Sequence, residues 1–251
     1  MIATLSPAKT LDYATPIPPV QPSKARFAED ATNLAAAAAK LGKKRLAGLM
    51  HLSDKLAGLN DERFKTFADQ PERPALYAFA GDVYTGFEAK TLDEAAIDFA
   101  QDHLRLLSGL YGLLRPLDAI RAYRLEMGTR WAPRRKSLTA WWGDRIADAL
   151  ASDVDAEGSG VVLNLASQEY WAAVSGKLPA GIRVIEVDFR EPGPDGPRFV
   201  SFHAKKARGM MARWLCEHRV TEIEAMKGFD SAGYAFDPAE STADHWRFAR
   251  A

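Results

Sequence analysis

Three turns of this chain place polar or basic side chains directly after a short apolar segment. They are Ser6–Thr10 after Met1–Leu5, Asn164–Ser167 after Val161–Leu165, and His203–Arg208 after Phe199–His203. In open α/β sheets, ligands bind in the crevice beyond the carboxyl ends of the strands. We therefore expect the three turns to lie near one another and to form one pocket.

The third turn indicates an anionic ligand. Lys205, Lys206 and Arg208 fall in the first turns of a predicted helix from about Ala204 to Arg219, where positive charge opposes the helix dipole. A phosphate group would compensate for that cost, and so would a neighbouring carboxylate.

The overall charge does not favour nucleic acid, because 33 basic and 33 acidic residues give a net charge of zero. Attraction to phosphate must then come from a local patch. Two segments are strongly basic. Arg121–Lys136 has only Glu126 as an acid, and Arg198–Arg219 has only Glu217. Such runs also occur on ordinary solvated surfaces, so charge alone leaves both interpretations open.

The bulk composition is that of a globular protein, with 251 residues, 47% apolar and 26% charged. No apolar run is long enough to span a membrane, and the first residues do not resemble a signal peptide. The single cysteine, Cys216, excludes an internal disulfide and fits a reducing compartment. We expect a soluble, cytoplasmic protein.

Motifs for cofactors and metals are missing from the sequence. It has no Gly-x-Gly-x-x-Gly after a strand, no Walker loop, no Cys-x-x-Cys pair and no His-Glu-x-x-His, and its five histidines are scattered. We therefore predict neither a cofactor nor a metal site.

Alternating apolar segments and helical patterns predict a mixed α/β fold. We expect a single compact domain over residues 1–251, with a mixed sheet surrounded by helices. The predicted strands are Met1–Leu5, Leu76–Ala80, Val161–Leu165, Arg183–Phe189 and Phe199–His203, and the last two are predicted to form a hairpin. The polar segment 151–160 is the best signal for an internal boundary loop.

The segment from Leu104 to Leu113 resembles a helix-hairpin-helix DNA-binding element. In such elements the amide groups of a glycine-containing turn contact a DNA phosphate without distinguishing bases. The residues concerned are Leu107, Gly109, Leu110, Tyr111, Gly112 and Leu113. Pro116 departs from the pattern, because it delays the second helix by several residues.

Eight runs, in this order, resemble the signature runs of the YaaA peroxide-stress protein family, from about residue 2 to residue 236. They are Ser6–Tyr13, Ser53–Gly58, Gly81–Gly86, Leu107–Gly112, Arg115–Asp118, Tyr123–Gly128, Asn164–Ser167 and Lys205–Gly209.

This resemblance implies a cytosolic bacterial protein of the hydrogen peroxide response that limits iron-dependent damage. It also implies binding of double-stranded or distorted DNA through a helix-hairpin-helix element and a positively charged cleft. On this chain, the hairpin would be Leu107–Leu113, and the cleft candidates are Lys9, Lys55, Arg115, Arg124, Lys205, Lys206 and Arg208.

An enzyme acting on a nucleotide or nucleic acid is the alternative function, because carboxylates repel phosphate and a DNA-binding cleft has little need of them. The candidate residues are Ser6, Lys9, Asp54, Lys55, Asp82, Tyr84, Glu126, Ser167 and Tyr170. Carboxylates beside lysines and a tyrosine can do acid–base chemistry if burial shifts their pKa values. An iron-binding buffer is a third hypothesis, although no ligand cluster is apparent. The sequence leaves the oligomeric state open.

Overall fold

The computed structural model describes residues 1–250. The strands are β1 (Ile2–Leu5), β2 (Arg73–Pro74), β3 (Leu104–Ser108), β4 (Gly112–Leu114), β5 (Ala119–Ile120), β6 (Val161–Leu165), β7 (Arg183–Arg190), β8 (Tyr234–Phe236) and β9 (His245–Arg250). The α-helices are α1 (Ala28–Ala39), α2 (Gly42–Met50), α3 (Asp54–Lys65), α4 (Ala75–Ala78), α5 (Asp82–Phe87), α6 (Glu94–His103), α7 (Leu138–Trp142), α8 (Arg145–Glu157), α9 (Gln168–Trp171) and α10 (Ser201–Glu217). Short 3₁₀ turns occupy Phe67–Asp69, Ala89–Thr91, Ile223–Gly228, Ser231–Gly233 and Pro238–Glu240.

Seven strands form one mixed sheet in the order β4-β3-β1-β6-β7-β9-β8. The five inner strands are parallel, whereas β4 and β8 pair antiparallel at the two edges. β2 and β5 form a separate two-stranded ribbon. The predicted mixed α/β class is confirmed, and the parallel arrangement aligns the carboxyl ends of β1, β6 and β7 along one edge of the sheet.

Burial on both faces explains the composition of the inner strands. All four residues of β1 are buried, as are four of the five in β6. Strands of this kind are nearly continuous apolar runs, because helices cover both faces of a parallel sheet. The predicted strands Met1–Leu5, Val161–Leu165 and Arg183–Phe189 are confirmed. Among residues 1–250, no helix has the length and apolar character that crossing a bilayer requires.

The predicted strand Leu76–Ala80 is wrong. Residues Ala75–Ala78 form the one-turn helix α4, and only Phe79 makes an isolated bridge, with Leu11. A short apolar run has no periodicity that separates a buried strand from a buried helical turn. This segment is buried on all sides, so its composition fits both structures.

The predicted strand Phe199–His203 is also wrong, because α10 already begins at Ser201. In place of the predicted hairpin there is a single antiparallel bridge between Glu191 and Arg198. Strand β7 pairs in parallel with β9. The run from Phe199 to His203 has only five positions, which is too short to exclude a helix. The third basic turn is therefore the first half of a helix, with Lys205 and Arg208 three positions apart on one face of it.

The predicted helix-hairpin-helix at Leu107–Leu113 is wrong. Helix α6 ends at His103, and the segment forms a β-hairpin in which Ser108 pairs with Gly112. Gly112 has a φ of +68°, a conformation that glycine adopts readily in such turns. Leucine is compatible with helices and strands alike, so burial beside β1 decides the structure here. Because the whole hairpin is buried, its groups are not available to DNA phosphates.

The polar segment 151–160 is helical for most of its length, because α8 continues to Glu157 and ends at Gly158, which has a φ of +91°. The expected loop is therefore reduced to the few residues before β6.

A close crossing of α5 and α10 fixes the position of the third basic segment. A Cβ added to Gly209 would lie 1.8 Å from the carbonyl oxygen of Val83, and one added to Gly86 would lie 2.1 Å from that of Lys206. The two helix backbones thus touch through paired glycines, and neither helix can slide or rotate without a clash.

Gly209→Ala should lower the free energy of unfolding by about 3 kcal/mol or more, because the added methyl group meets the rigid backbone of α5 at Val83 and Phe87. Gly58→Ala in α3 is the matched control. Its Cβ would meet only the flexible side chain of Lys43, at 3.7 Å. This control should raise stability by about 0.5–1 kcal/mol through helix propensity. Urea denaturation measures both, and equal effects of the two variants would contradict the close crossing.

Candidate binding cleft

The turns after β1 and β6 and the first half of α10 converge on one cavity of about 300 Å³. We call it the inner pocket. Its polar lining consists of Ser6, Lys9, Thr10, Asp82, Ser167, Glu169, Tyr170, Lys205 and Arg208. The expectation that the three turns lie together is confirmed, since Lys9 and Lys205 line the same cavity. It lies beyond the carboxyl ends of parallel strands, where α/β sheets bind ligands.

Hydrogen bonds between β1 and β6 set the floor of the inner pocket. The Ser6 hydroxyl accepts from the Ser167 amide at 2.8 Å and donates to the Ser167 hydroxyl at 3.2 Å. Within the strands themselves, Thr4 Oγ1 donates to Asn164 Oδ1 at 3.2 Å. The serine contacts link two segments that are 161 positions apart in the chain.

Helix α5 forms one wall of the inner pocket. The buried Tyr84 hydroxyl donates to the Ser6 carbonyl at 3.1 Å. Burial raises the pKa of Tyr84 and of Tyr170 well above the ordinary value, so both phenols stay protonated. They can position a ligand or a backbone group as neutral side chains, but they are poor bases.

A wider cavity of about 820 Å³ continues from the inner pocket, and we call it the outer groove. One wall is the turn at the end of α2, from Gly48 to His51, and the other runs from Arg124 to Arg130. Glu126 lies between two cations in this wall. Its Oε1 is 3.2 Å from Lys9 Nζ and 3.0 Å from Arg124 Nη2. The carboxylate is therefore neutralised from both sides.

A third cavity of about 600 Å³, the side pocket, lies between α10 and β7. Its lining includes Asn164, Trp171, Glu186, Asp188, Arg190, Phe199, Ser201, Lys205 and Arg208. Lys9 and Glu169 line all three cavities, which are therefore adjacent, and we refer to the three together as the cleft.

Several cations of the cleft have no ion-pair partner. Within residues 1–250, no carboxylate lies within 4.0 Å of the charged groups of Arg130, Lys205 or Arg208. The Nε of Arg208 is buried and has no hydrogen-bond partner among residues 1–250. Burial lowers the pKa of Arg208, with Asp188 acting in the opposite direction. An unpaired, partly buried guanidinium is costly, and an anion would relieve that cost.

The structure places the other candidate residues outside these cavities. Arg115 bonds to Asp102 at 3.2 Å, and Lys206 packs its backbone on α5 without lining the cleft. Asp54 and Lys55 begin α3 beside the turn that walls the outer groove, and Asp54 pairs with Lys43 at 2.6 Å.

One supersecondary feature escaped the sequence analysis. Helices α2 and α3 form a helical hairpin whose turn contains His51 in the left-handed conformation, and Ser53 caps α3 by accepting from the Leu56 amide. No glycine or proline marks that turn, so the residue types gave no stop signal. The sequence also did not identify Arg130, Glu169 and Phe199 as residues that line the cleft. Glu169 lies two positions after a predicted turn.

Metal ligands do not converge anywhere in the described chain. Residues 1–250 contain no group of three or more His, Cys, Asp or Glu side chains arranged to hold an ion. Cys216 is buried, and burial raises the pKa of its thiol.

The fold and the cleft define an α/β protein with a polar cleft at the carboxyl edge of parallel strands. A family profile described as "Peroxide stress protein YaaA" matches residues 1–240. A UPF0246 protein of Rhizorhabdus wittichii is 63% identical over 251 residues, covering 100% of this chain and 99% of its own. Relatives from Roseobacter denitrificans and Polynucleobacter asymbioticus, also UPF0246 proteins, are 49% and 47% identical, cover 100% of this chain, and are covered over 98% and 99% of their own lengths. The chain belongs to the YaaA peroxide-stress protein family.

Ser6→Ala should destabilise the protein by about 1–3 kcal/mol, because the Ser167 amide would lose its acceptor at the floor of the inner pocket. Ser167→Ala is the control, since the Ser6 hydroxyl can still accept from the same amide. It should cost less than about 1 kcal/mol. Chemical denaturation of the two variants checks the difference, and a larger loss for Ser167→Ala would refute this arrangement.

Proposed function

We propose that this protein binds DNA through phosphate contacts in the cleft, as part of the peroxide stress response. The observation that carries the proposal is a set of cations in the cleft that have no ion-pair partner among residues 1–250: Arg130 in the outer groove, and Lys205 and Arg208 in the inner pocket. In a chain with zero net charge, such a patch is a local source of attraction for phosphate.

The helical hairpin of α2 and α3 supports the same proposal. The amino end of α3 has amide groups without helical partners, and Lys55 lies in its first turn. Helix amino ends bind phosphate groups through these amides and the helix dipole. The hairpin turn also walls the outer groove, so one DNA backbone segment can contact the helix while another lies along Arg130.

Carboxylates in the cleft limit the expected affinity. Glu126 is neutralised by Lys9 and Arg124, but Glu169 and Asp82 have no ion-pair partner among residues 1–250. We therefore propose modest, strongly salt-dependent binding with little sequence preference, and tighter binding of bent or branched DNA that presents two backbone segments together. The proposal includes protection against iron-dependent oxidative damage, exerted at the bound DNA.

An Arg130→Ala, Lys55→Ala double variant should bind all duplex sequences more weakly by a similar factor. The slope of log affinity against log salt should flatten by about 0.9 for each phosphate that the variant no longer neutralises. Fluorescence anisotropy with labelled duplex and branched DNA measures both quantities. Lys24→Ala is the control, because Lys24 is exposed and lies outside the cleft. Unchanged affinity and slope in the double variant would remove the outer groove as the DNA site.

An enzyme acting on a nucleotide or nucleic acid is the second candidate. Its support is that five of the candidate residues, Ser6, Lys9, Asp82, Ser167 and Tyr170, line the inner pocket. Ser6, however, bonds through its hydroxyl to Ser167 rather than to a histidine or carboxylate, so it lacks the partner that activates a nucleophile. Mass spectrometry of nucleotides and DNA oligomers incubated with the protein tests this candidate. A product that disappears with Asp82→Asn would place the enzyme first.

A further inference from the structure

We propose that Arg208 and Lys205 form a phosphate subsite for a single nucleotide, whose base lies in the side pocket against Phe199. The nucleotide can be free in solution or can be turned out of bound DNA, and only the second source rests on the proposed function.

The first argument is the state of Arg208. Its Nε is buried without a hydrogen-bond partner among residues 1–250, and Arg208 is a lining residue of both the inner pocket and the side pocket. The neighbouring carboxylate of Asp188 is engaged by Arg190, with Oδ2 2.5 Å from Nε. Arg208 is thus a cation in a cavity, with its charge-bearing group available to a ligand. Arginine is well suited to phosphate, because its planar fork donates two parallel hydrogen bonds.

The second argument is preorganisation. Ser201, Lys205 and Arg208 are spaced along one face of α10 and all line the side pocket. Gly209, next to Arg208 in the chain, forms the close backbone crossing with α5. The helix is therefore fixed in rotation, and its cations face the cavity before any ligand arrives. A subsite held in this way loses little entropy when an anion binds.

The third argument concerns the rest of the ligand. Phe199 is 50% exposed at the rim of the side pocket, and one side of its ring faces Arg190, whose guanidinium carbon is 6.0 Å from the ring centroid. An exposed aromatic ring beside an anion subsite is the arrangement that binds a nucleobase by stacking. Glu186 supplies a carboxylate in the same cavity that can accept hydrogen bonds from base amino groups or ribose hydroxyls.

Size and charge restrict the ligand further. The inner and side pockets, of about 300 and 600 Å³, are in the range of small-molecule sites and suit one nucleotide. Asp82 and Glu169 line the same inner pocket as the two cations and would repel a polyphosphate. The site therefore favours a single phosphate group, as in a nucleoside monophosphate or one residue of a DNA strand.

Calorimetric titration with deoxynucleoside 5′-monophosphates, the matching nucleosides and inorganic phosphate tests the subsite. The monophosphates should bind, inorganic phosphate should compete, and the nucleosides should bind more weakly by about 10- to 100-fold. Arg208→Met and Lys205→Ala should each weaken monophosphate binding by a similar factor, whereas Lys206→Ala, the neighbouring control outside the cleft, should bind like the wild type. Equal binding of nucleosides and monophosphates, or wild-type binding by Arg208→Met, would overturn the proposal.

Thermal unfolding distinguishes a ligand-binding Arg208 from a structural one. Because the unliganded protein has an unpaired, partly buried charge at this position, Arg208→Met should leave the Tm unchanged or raise it by a few degrees. A marked fall in Tm would show that Arg208 holds the fold together, and would overturn the subsite unless Lys205→Ala still abolished monophosphate binding at normal stability.

Duplex DNA containing 2-aminopurine identifies the source of the nucleotide. A rise in its fluorescence on binding, absent with Arg208→Met, would show that the site receives a residue turned out of the duplex. Monophosphate binding without DNA binding would support the subsite and contradict only the proposed function. DNA binding with neither monophosphate binding nor a fluorescence rise would contradict only the subsite.

Discussion

The parallel pairing of β1 with β6 determines where the polar groups of the cleft lie. Each strand is an apolar segment that ends in a serine-containing turn, and their register brings Leu5 opposite Leu165. Just beyond that pair, Ser6 and Ser167 meet by hydrogen bonding at the sheet edge. The apolar character of the strands therefore fixes the position of the polar residues that follow them, and α5, α10 and the 124–130 segment pack around that fixed floor.

The helices around the floor differ in how rigidly they are held. α10 is fixed against α5 by backbone contact at two glycines, whereas the α2–α3 hairpin contributes a turn whose residues are mostly exposed. The part of the cleft that contains Arg208 is consequently the more rigid one. The rigid inner pocket is consistent with a subsite for one small group. The less rigid outer groove is consistent with a surface that binds a polymer backbone in more than one conformation.

The sequence predicted secondary structure correctly where a local pattern was compatible with only one kind of element. Apolar runs such as Val161–Leu165, each followed by a polar turn, predicted both the strands and the convergence of their ends. Prediction failed for Leu76–Ala80, Phe199–His203 and Leu107–Leu113, where short, mainly apolar runs fit a helix and a strand equally well. Tertiary burial decided those segments. The sequence also did not predict that Arg208 has no ion-pair partner among residues 1–250, because this depends on the ion pair between Asp188 and Arg190.

The pairing of β1 with β6 also has a consequence for how the protein is made. β1 precedes its partners β3 and β6 by about 100 and 160 residues in the chain, as their register shows. Closing such long loops slows folding, because the chain gives up entropy before the contacts form. β1 must therefore stay unpaired until β3 or β6 has left the ribosome. During that interval it is a natural site for chaperone contact, and the cleft can form only after α10 has been synthesised.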